Sequence, residues 1–223
     1  DNRRPIKIVA VSDIHLGNGT GKTSLKQYVK MINKQNPDLI LIGGDLIDNS
    51  VIPLYAENMA EELTELKAPL GIYMVPGNHE YISGIDKSIQ FIQNTPIQLL
   101  RDSVVTLPCG IQLIGRDDRS NARRLPLQKL MARIDKSKPV ILLDHQPYQL
   151  AESQAAGIDL QFSGHTHHGQ VWPMNWVTNH LYEQSHGYRQ WENSHIYVSS
   201  GLSLWGPPFR IGTESEMVVL QLH

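Results

Sequence analysis

Short apolar runs alternate with amphipathic stretches through the first third of the chain. The apolar runs predict strands at residues 6–11, 39–42 and 71–75, and the stretches between them predict helices at residues 24–36 and 54–66. Strands that alternate with helices are typical of βαβ units. The pattern therefore predicts an α/β fold with a mostly parallel sheet.

The pattern changes beyond residue 97, where short β-like segments indicate a second sheet. Residues 104–107 and 111–114 predict a hairpin joined by Pro108-Cys109-Gly110. The later predicted elements are a helix at 127–134, a strand at 140–143, a helix at 148–156 and strands at 158–162, 195–199 and 217–222. We find no internal repeat, low-complexity run or linker, so the sequence favours one domain over residues 1–223.

Polar motifs follow five of these predicted strands. In chain order they are Asp13-Ile14-His15, Gly44-Asp45, Gly77-Asn78-His79-Glu80, His145 and Gly164-His165-Thr166-His167. An open α/β sheet binds its ligands in the crevice outside the carboxyl ends of its strands. We therefore expect these five motifs to meet in one site.

Composition narrows the class of protein. The 223 residues are 40% hydrophobic, and 20 Lys and Arg against 22 Asp and Glu give a net charge of -2 without a basic block. This balance disfavours a dedicated nucleic-acid binder. Cys109 is the single cysteine, so a metal site would depend on His, Asp and Asn.

The sequence contains no apolar run of about 18 to 20 residues that could span a bilayer, and no signal-peptide pattern. We therefore expect the chain as given to be soluble. Its start at Asp1 suggests that upstream sequence was processed or left out. An anchor there would give the full-length protein a membrane or cell-envelope location.

Asp13 and His15 lie two residues apart, which in an extended segment puts both side chains on one side, where they could bind one metal. The Asp45 carboxylate has two oxygens and could bridge two cations. An alternative for Asp45 is a capped turn. Asn78 and His79 follow Pro76-Gly77 on a predicted tight turn, where the Asn78 carbonyl could bind a metal.

The histidines can be interpreted in two ways each. His79 could face the substrate and protonate a leaving oxygen, or lie on a surface turn. His145 could be a ligand or a solvated loop residue. His165 and His167 share a spacing of two and could serve two metals in one cluster, whereas His168 should point elsewhere. The alternative for this segment is a histidine-rich surface loop.

Together these motifs resemble the calcineurin-like metallophosphoesterase superfamily, whose pattern DxH, GDxxD, GNH[DE], H, GHxH appears here in order. The resemblance implies a sandwich of two β-sheets flanked by helices on both sides. It implies further that Asp48 orients a ligand and that His79 is the catalytic histidine. The implied ligands are Asp13, His15 and His167 for a first metal, Asn78, His145 and His165 for a second, and Asp45 as the bridge.

The resemblance also implies a reaction. It is hydrolysis of a phosphodiester or phosphoester by a metal-bridging hydroxide, with two divalent ions that are Mn, Fe or Zn rather than Mg. The alternatives are a metal-free interaction module on the same fold, a protein phosphatase or a nuclease. The lone Cys109 has no evident part in this chemistry.

Softer motifs concern the substrate. The segments GHTHHGQ, HQP around His145, and Pro207-Pro208-Phe209-Arg210 resemble a bacterial branch of envelope-associated phosphodiesterases and lipid A precursor pyrophosphatases. That resemblance implies a phosphorylated small-molecule or lipid-linked substrate, not a nucleic acid. It also implies membrane association through an N-terminal region absent from this chain.

Three features remain open on sequence grounds. The four tryptophans all follow the GHTH motif and could roof the site or form the core of a long excursion. Arg210 could hold a phosphate oxygen or lie on the surface. Asp117 and Asp118 could belong to the site or to a turn.

Overall fold

A computed structural model of the chain describes residues 5–223. Asp1, whose position prompted the expectation about upstream sequence, lies outside the described residues. The strands are β1 Ile6–Val11, β2 Leu39–Ile42, β3 Ile72–Met74, β4 Gln98–Leu99, β5 Ser103–Thr106, β6 Gln112–Gly115, β7 Val140–Leu143, β8 Leu160–Ser163, β9 Gly187–Trp191, β10 Ser194–Val198 and β11 Val218–Leu222. The helices are α1 Lys22–Lys34, α2 Ile52–Ala56, α3 Met59–Leu63, α4 Asn78–Ile82, α5 Ile85–Ile92, α6 Leu127–Met131, α7 Leu150–Ala156 and α8 Met174–Leu181, with a 3₁₀ turn at His167–Gly169.

The strands of residues 5–223 form two sheets. The first has the order β11-β1-β2-β3-β4, in which all neighbours are parallel except the antiparallel pair β11 and β1. The second has the order β5-β6-β7-β8-β10-β9, with a parallel centre and antiparallel pairs at both edges. These pairings confirm the predicted parallel strands and the predicted hairpin of β5 and β6.

Successive side chains of a strand point to opposite faces of its sheet, and this alternation explains how the two sheets and the helices pack. In β1, Ile8 and Ala10 face the space between the sheets, whereas Val9 and Val11 face outward toward helices. The outer face of the first sheet packs on α1, α2, α3 and α5. The outer face of the second sheet packs on α6, with α7 against β10. The predicted sandwich with helices on both sides is therefore confirmed.

Some predicted element bounds were wrong. The single helix at 54–66 is two helices, α2 and α3, because Asn58 between them has a left-handed φ of 54°. The predicted tight turn at Asn78 is instead the first turn of α4. The segments α5, α8 and β9 were not predicted. Within the described residues we find no helix with the length and apolar character that crossing a bilayer requires.

Candidate metal centre

The five motifs meet at one edge of the sandwich, beyond the carboxyl ends of strands from both sheets. Asp13 follows β1, Asp45 follows β2 and Asn78 follows β3, all in the first sheet. His145 and His165 follow β7 and β8 in the second sheet. Two sheets therefore contribute facing groups of side chains to a single crevice, as the position of the motifs predicted.

Three groups of carboxylate and imidazole atoms converge closely enough to hold a metal. In each group the ligand atoms lie within 4.8 Å of one another. The groups are Asp13 with His15 and His167; His15 with Asp45 and His79; and Asp45 with His145 and His165. Asn78 adjoins the last group, because its Oδ1 lies 2.9 Å from His165 Nδ1. All seven residues predicted as ligands lie in this crevice.

The backbone of this site differs from the sequence-based interpretation. Asp13 and His15 have φ values of 55° and 48°, and Asp45 has 52°, so the Asp13–His15 segment is not extended as predicted. His165 and His167 are also left-handed, at 72° and 48°. Such conformations cost about 1 to 2 kcal/mol per residue and cluster at functional sites. The side chains converge through this series of tight turns and not through strand alternation.

Two glycines permit the close approach of these loops. A Cβ on Gly77 would overlap Asp45 Oδ1, and a Cβ on Gly164 would overlap the side chains of Ser12 and Asp13. In these loops the glycine backbone therefore lies in contact with the carboxylates of Asp45 and Asp13. A residue with a side chain in place of either glycine would prevent this contact.

Asp45 is held by the segment that carries Asn78. Its Oδ1 accepts a hydrogen bond from the backbone N–H of His79 at 2.8 Å. The buried Glu80 returns the interaction: its carboxylate accepts from the N–H groups of Asp45 at 3.0 Å, Ile47 at 3.0 Å and Gly77 at 2.7 Å. In the sequence, Glu80 is marked only by its place in the motif Gly77-Asn78-His79-Glu80. Its burial and acceptor role fix the two loops against each other.

Backbone carbonyls set the orientation of two imidazoles. His145 Nδ1 lies 2.7 Å from the carbonyl of Gly43, and His79 Nδ1 lies 2.9 Å from the carbonyl of Asp48. A carbonyl only accepts, so Nδ1 is the protonated nitrogen in both rings and Nε2 is available for the site. Asp48 Oδ1 also lies 3.4 Å from His15 Nδ1 and 3.3 Å from His79 Nδ1.

The donor set fits a metal. His15 Nε2 and His167 Nε2 face each other at 3.0 Å, with Asp13 Oδ1 at 3.8 Å and 3.4 Å from them. His145 Nε2 is buried and lies 3.0 Å from Asp45 Oδ2. Buried imidazole nitrogens and carboxylate oxygens that converge in this way are the donors that Mn, Fe and Zn ions accept.

Electrostatics in the crevice supports the same interpretation. Burial lowers the pKa of His165 and of His167 to about 4, which leaves both rings neutral and able to donate a lone pair. Burial alone would raise the pKa of Asp45, but the adjacent His145 lowers it. His145 itself has a raised pKa because the charge of Asp45 outweighs the effect of burial. The charged side chains of the crevice thus lie in close pairs.

Residues that the sequence left open have defined places. The Arg210 guanidinium donates to the carbonyls of His167, Ser200 and Ser203, so it braces loops rather than lying free on the surface. Asp117 accepts from Tyr81 and Arg101. These groups support the crevice from outside.

Asp118 and His168 complete this surrounding layer. Asp118 is buried and accepts from Gln146, the residue after His145. His168 stacks on His186 with ring centroids 4.5 Å apart and belongs to none of the three ligand groups, as expected.

A pocket of about 360 Å³ opens from the crevice and has an aromatic side. The Trp205 ring lies 6.4 Å from the rings of both His79 and His167. Trp172, Trp176 and Trp205 are 54%, 66% and 51% exposed. The core interpretation is therefore wrong for these three, although Trp191 packs against a buried cluster.

Comparison with known proteins identifies the family. The model of the calcineurin-like phosphoesterase family matches residues 6–169. A Helicobacter pylori protein named "Uncharacterized metallophosphoesterase" is 35% identical over 98% of this chain and 60% of that protein. The chain belongs to the calcineurin-like phosphoesterase family, a family of metal-dependent proteins.

Two further similarities extend this result. A Danio rerio protein named "Transmembrane protein with metallophosphoesterase domain" is 32% identical over 97% of this chain and 53% of that protein. A 5'-nucleotidase precursor from Thermus thermophilus shares the fold, with a TM-score of 0.55 and 15% identity over 98% of this chain and 54% of that one. The chain thus spans between half and two thirds of the length of the two curated relatives named here.

Proposed function

We propose that this chain is a hydrolase that cleaves phosphodiester bonds at a centre of two divalent cations. The observation that carries the proposal is the position of Asp45, whose Oδ2 lies 3.0 Å from Nε2 of His145 and 4.0 Å from Nε2 of His15. A carboxylate that adjoins one histidine from each of the two proposed ligand sets supports the predicted bridging role. The family match and the donor set support the metal dependence.

We assign the ligands as the motifs predicted. Asp13, His15 and His167 would hold one cation, Asn78, His145 and His165 the other, and Asp45 both. When bound, two such cations supply a hydrolytic nucleophile near neutral pH and offset the charge on phosphoryl oxygens. The mixed nitrogen and oxygen donors favour Mn, Fe or Zn over Mg.

His79 is the proposed catalytic residue. Its Nδ1–H donates to the Asp48 carbonyl. This hydrogen bond fixes the orientation of the ring and leaves Nε2 available for the substrate. The residue lines the pocket, and its ring belongs to one of the three groups of converging atoms, with His15 and Asp45. From this position a protonated Nε2 can donate to the leaving oxygen of a phosphoester, and the fixed ring needs no reorientation to do so.

We further propose that residues 1–223 form a single phosphoesterase domain of a membrane-associated protein. One buried cluster joins strands of both sheets, which supports a shared core. Some relatives carry the name of transmembrane proteins and are longer than this chain, which supports membrane association of the full-length protein.

Hydrolysis of bis(p-nitrophenyl) phosphate beside p-nitrophenyl phosphate tests this function. The chelator-treated chain should be inactive and should regain diester turnover with Mn, Zn or Fe. His223→Ala is the matched control for substitutions at site histidines, because His223 is exposed and follows β11, whose last residue pairs with the start of β1 at the end of the sheet opposite the crevice. Turnover of the monoester alone would indicate a phosphatase. No turnover with any metal would contradict the proposal and favour an interaction module.

A further inference from the structure

We propose that the substrate is a phosphodiester that carries an alkyl or acyl chain, and that this chain lies along an apolar wall beside the metal centre. The wall consists of Val171, Met174, Trp205 and Pro207. The inference rests on the proposed phosphodiester hydrolysis and names the class of substrate that the site accepts.

The wall and the candidate ligands line the same pocket. On one side are Asp45, Asn78, His79, His165 and His167, and on the other are the four wall residues. The Trp205 ring lies 6.4 Å from that of His79, so little space separates the two sides. A phosphate at the cations that these residues would hold therefore has one of its ester substituents beside the wall.

The side-chain amide and hydroxyl groups that line the pocket next to the wall, those of Thr166, Gln170 and Thr178, are already hydrogen-bonded within the protein. Gln170 donates its amide N–H to the carbonyls of Trp205 and Pro207 and accepts from the N–H of Trp205. Thr166 and Thr178 donate their hydroxyls to backbone carbonyls at 2.6 Å and 3.0 Å. A nucleobase or sugar placed here would bury polar atoms without partners, whereas a hydrocarbon chain would not.

The wall continues beyond the pocket along α8. The helix has no buried residue, and residues 171–182 contain no Asp, Glu, Lys or Arg. Helical periodicity places Val177 and Leu181 on the face of Met174, and the three side chains are 44%, 62% and 50% exposed. An apolar helix face that joins a catalytic pocket suits an occupant longer than the pocket itself.

A series of p-nitrophenyl phosphodiesters with methyl, hexyl and dodecyl groups tests this inference, at concentrations where each is monomeric. We expect kcat/KM to rise at least about tenfold from the methyl to the hexyl ester, because methylenes leave water at the wall. The p-nitrophenyl ester of thymidine 5'-phosphate is the nucleotide comparison and should be a poorer substrate than the hexyl ester. Calorimetry with methylphosphonate and hexylphosphonate gives the same comparison without turnover, and hexylphosphonate should bind at least about tenfold more tightly.

Matched methionine variants locate the effect. Met174→Ser should lower the ratio of hexyl to methyl kcat/KM by about threefold or more, because a polar hydroxymethyl replaces an apolar contact. Met31→Ser should leave that ratio unchanged, since Met31 is a partly exposed methionine on α1. Leu181→Ser provides a second wall-face variant, and its effect should be largest with the dodecyl ester.

The outcomes separate the two proposals. Equal hydrolysis of all three esters, or a preference for the thymidine ester, would overturn the alkyl inference while phosphodiester hydrolysis stands. A chain-length effect that survives Met174→Ser and Leu181→Ser would overturn the position of the wall. If the wild-type chain is a dimer in solution and the Leu181→Ser variant is a monomer, a second copy covers this face. That result would also overturn the inference. Failure to hydrolyse any ester with any metal would contradict the proposed function itself.

Discussion

Two regions meet at the edge of the sandwich that carries the candidate metal centre, and they are built on opposite physical principles. The ligand loops at Asp13, Asp45 and His167 are buried, charged and left-handed in backbone conformation. The wall around α8 and Trp205 is exposed and nearly uncharged. Burying charge is costly unless opposite charges and hydrogen bonds offset it, and leaving apolar surface in water is costly unless a ligand covers it.

This contrast indicates that the two regions have different roles in substrate recognition. The ligand loops offer no apolar contact to a substrate, and the wall has no charged side chain to bind a phosphate. We infer that the loops determine which bond is cleaved and that the wall determines which molecules present that bond. Substitutions that affect one region and spare the other test this division.

The largest effect should come from His79, which lies between the two regions. His79→Ala should lower kcat for bis(p-nitrophenyl) phosphate by about 10² to 10⁴-fold, because the leaving oxygen loses its proton donor. Metal content by elemental analysis should stay unchanged. The division of roles would be broken if the variant kept full turnover, or if it lost metal together with turnover.

An intermediate effect should follow a change to Glu80, which scaffolds the ligand loops without lying among the proposed ligands. In Glu80→Gln the amide oxygen can still accept two of the three backbone N–H groups, so one buried donor stays unpaired. We expect the free energy of unfolding to fall by about 1 to 3 kcal/mol and metal affinity to fall about 10 to 100-fold.

Urea unfolding and metal titration measure these two losses. Glu61→Gln is the matched control, because the Glu61 side chain is 72% exposed. Similar unfolding of the two variants would show that Glu80 does not hold the loops together.

The smallest effect concerns Glu216, which anchors the segment that joins β10 to Trp205. Burial would raise the pKa of Glu216, but His186, the Ser200 N–H and the Tyr197 hydroxyl hold it at about 2. A lowered pKa stabilises the fold above the ordinary value of 4.5, and that stability is lost as pH falls toward 2.

At pH 6 the free energy of unfolding of the wild-type chain should therefore be about 1 to 2 kcal/mol higher than that of the Glu216→Gln variant. The difference should shrink at pH 4 and again at pH 3. Urea unfolding at these three pH values measures it. A difference that is constant with pH would exclude the ionised Glu216 as the anchor of this segment.

The sequence predicted much of the ligand region because its signals are chemical. Polar motifs after apolar runs located the crevice, and the central strands β1, β2 and β7 followed from their apolar patterns. The geometry within the loops was less accessible. Asp13 and His15 converge because both adopt positive φ, which short-range periodicity does not encode. The role of Glu80 follows only from the structure, which shows that the side chain is buried and accepts hydrogen bonds from three backbone N–H groups.

The wall was harder to predict for a physical reason. Along α8 the apolar residues Met174, Val177 and Leu181 recur at helical spacing, and a helical pattern of this kind normally predicts that the apolar face is buried. In the structure this face is exposed instead. The aromatic residues there could equally have formed a core, since their composition does not reveal exposure. Only the tertiary structure shows that Trp172, Trp176 and Trp205 remain accessible.

Metal stoichiometry tests the central claim most directly, because the account depends on one carboxylate shared by two cations. Elemental analysis of the wild-type chain after saturation with Mn or Zn should give two equivalents per chain. Asp45→Asn should lose metal from both positions and lose diester turnover, whereas Asp86→Asn, an exposed aspartate in the first turn of α5, should retain both. Two tightly bound equivalents in Asp45→Asn, or full wild-type turnover with a single equivalent, would contradict the account.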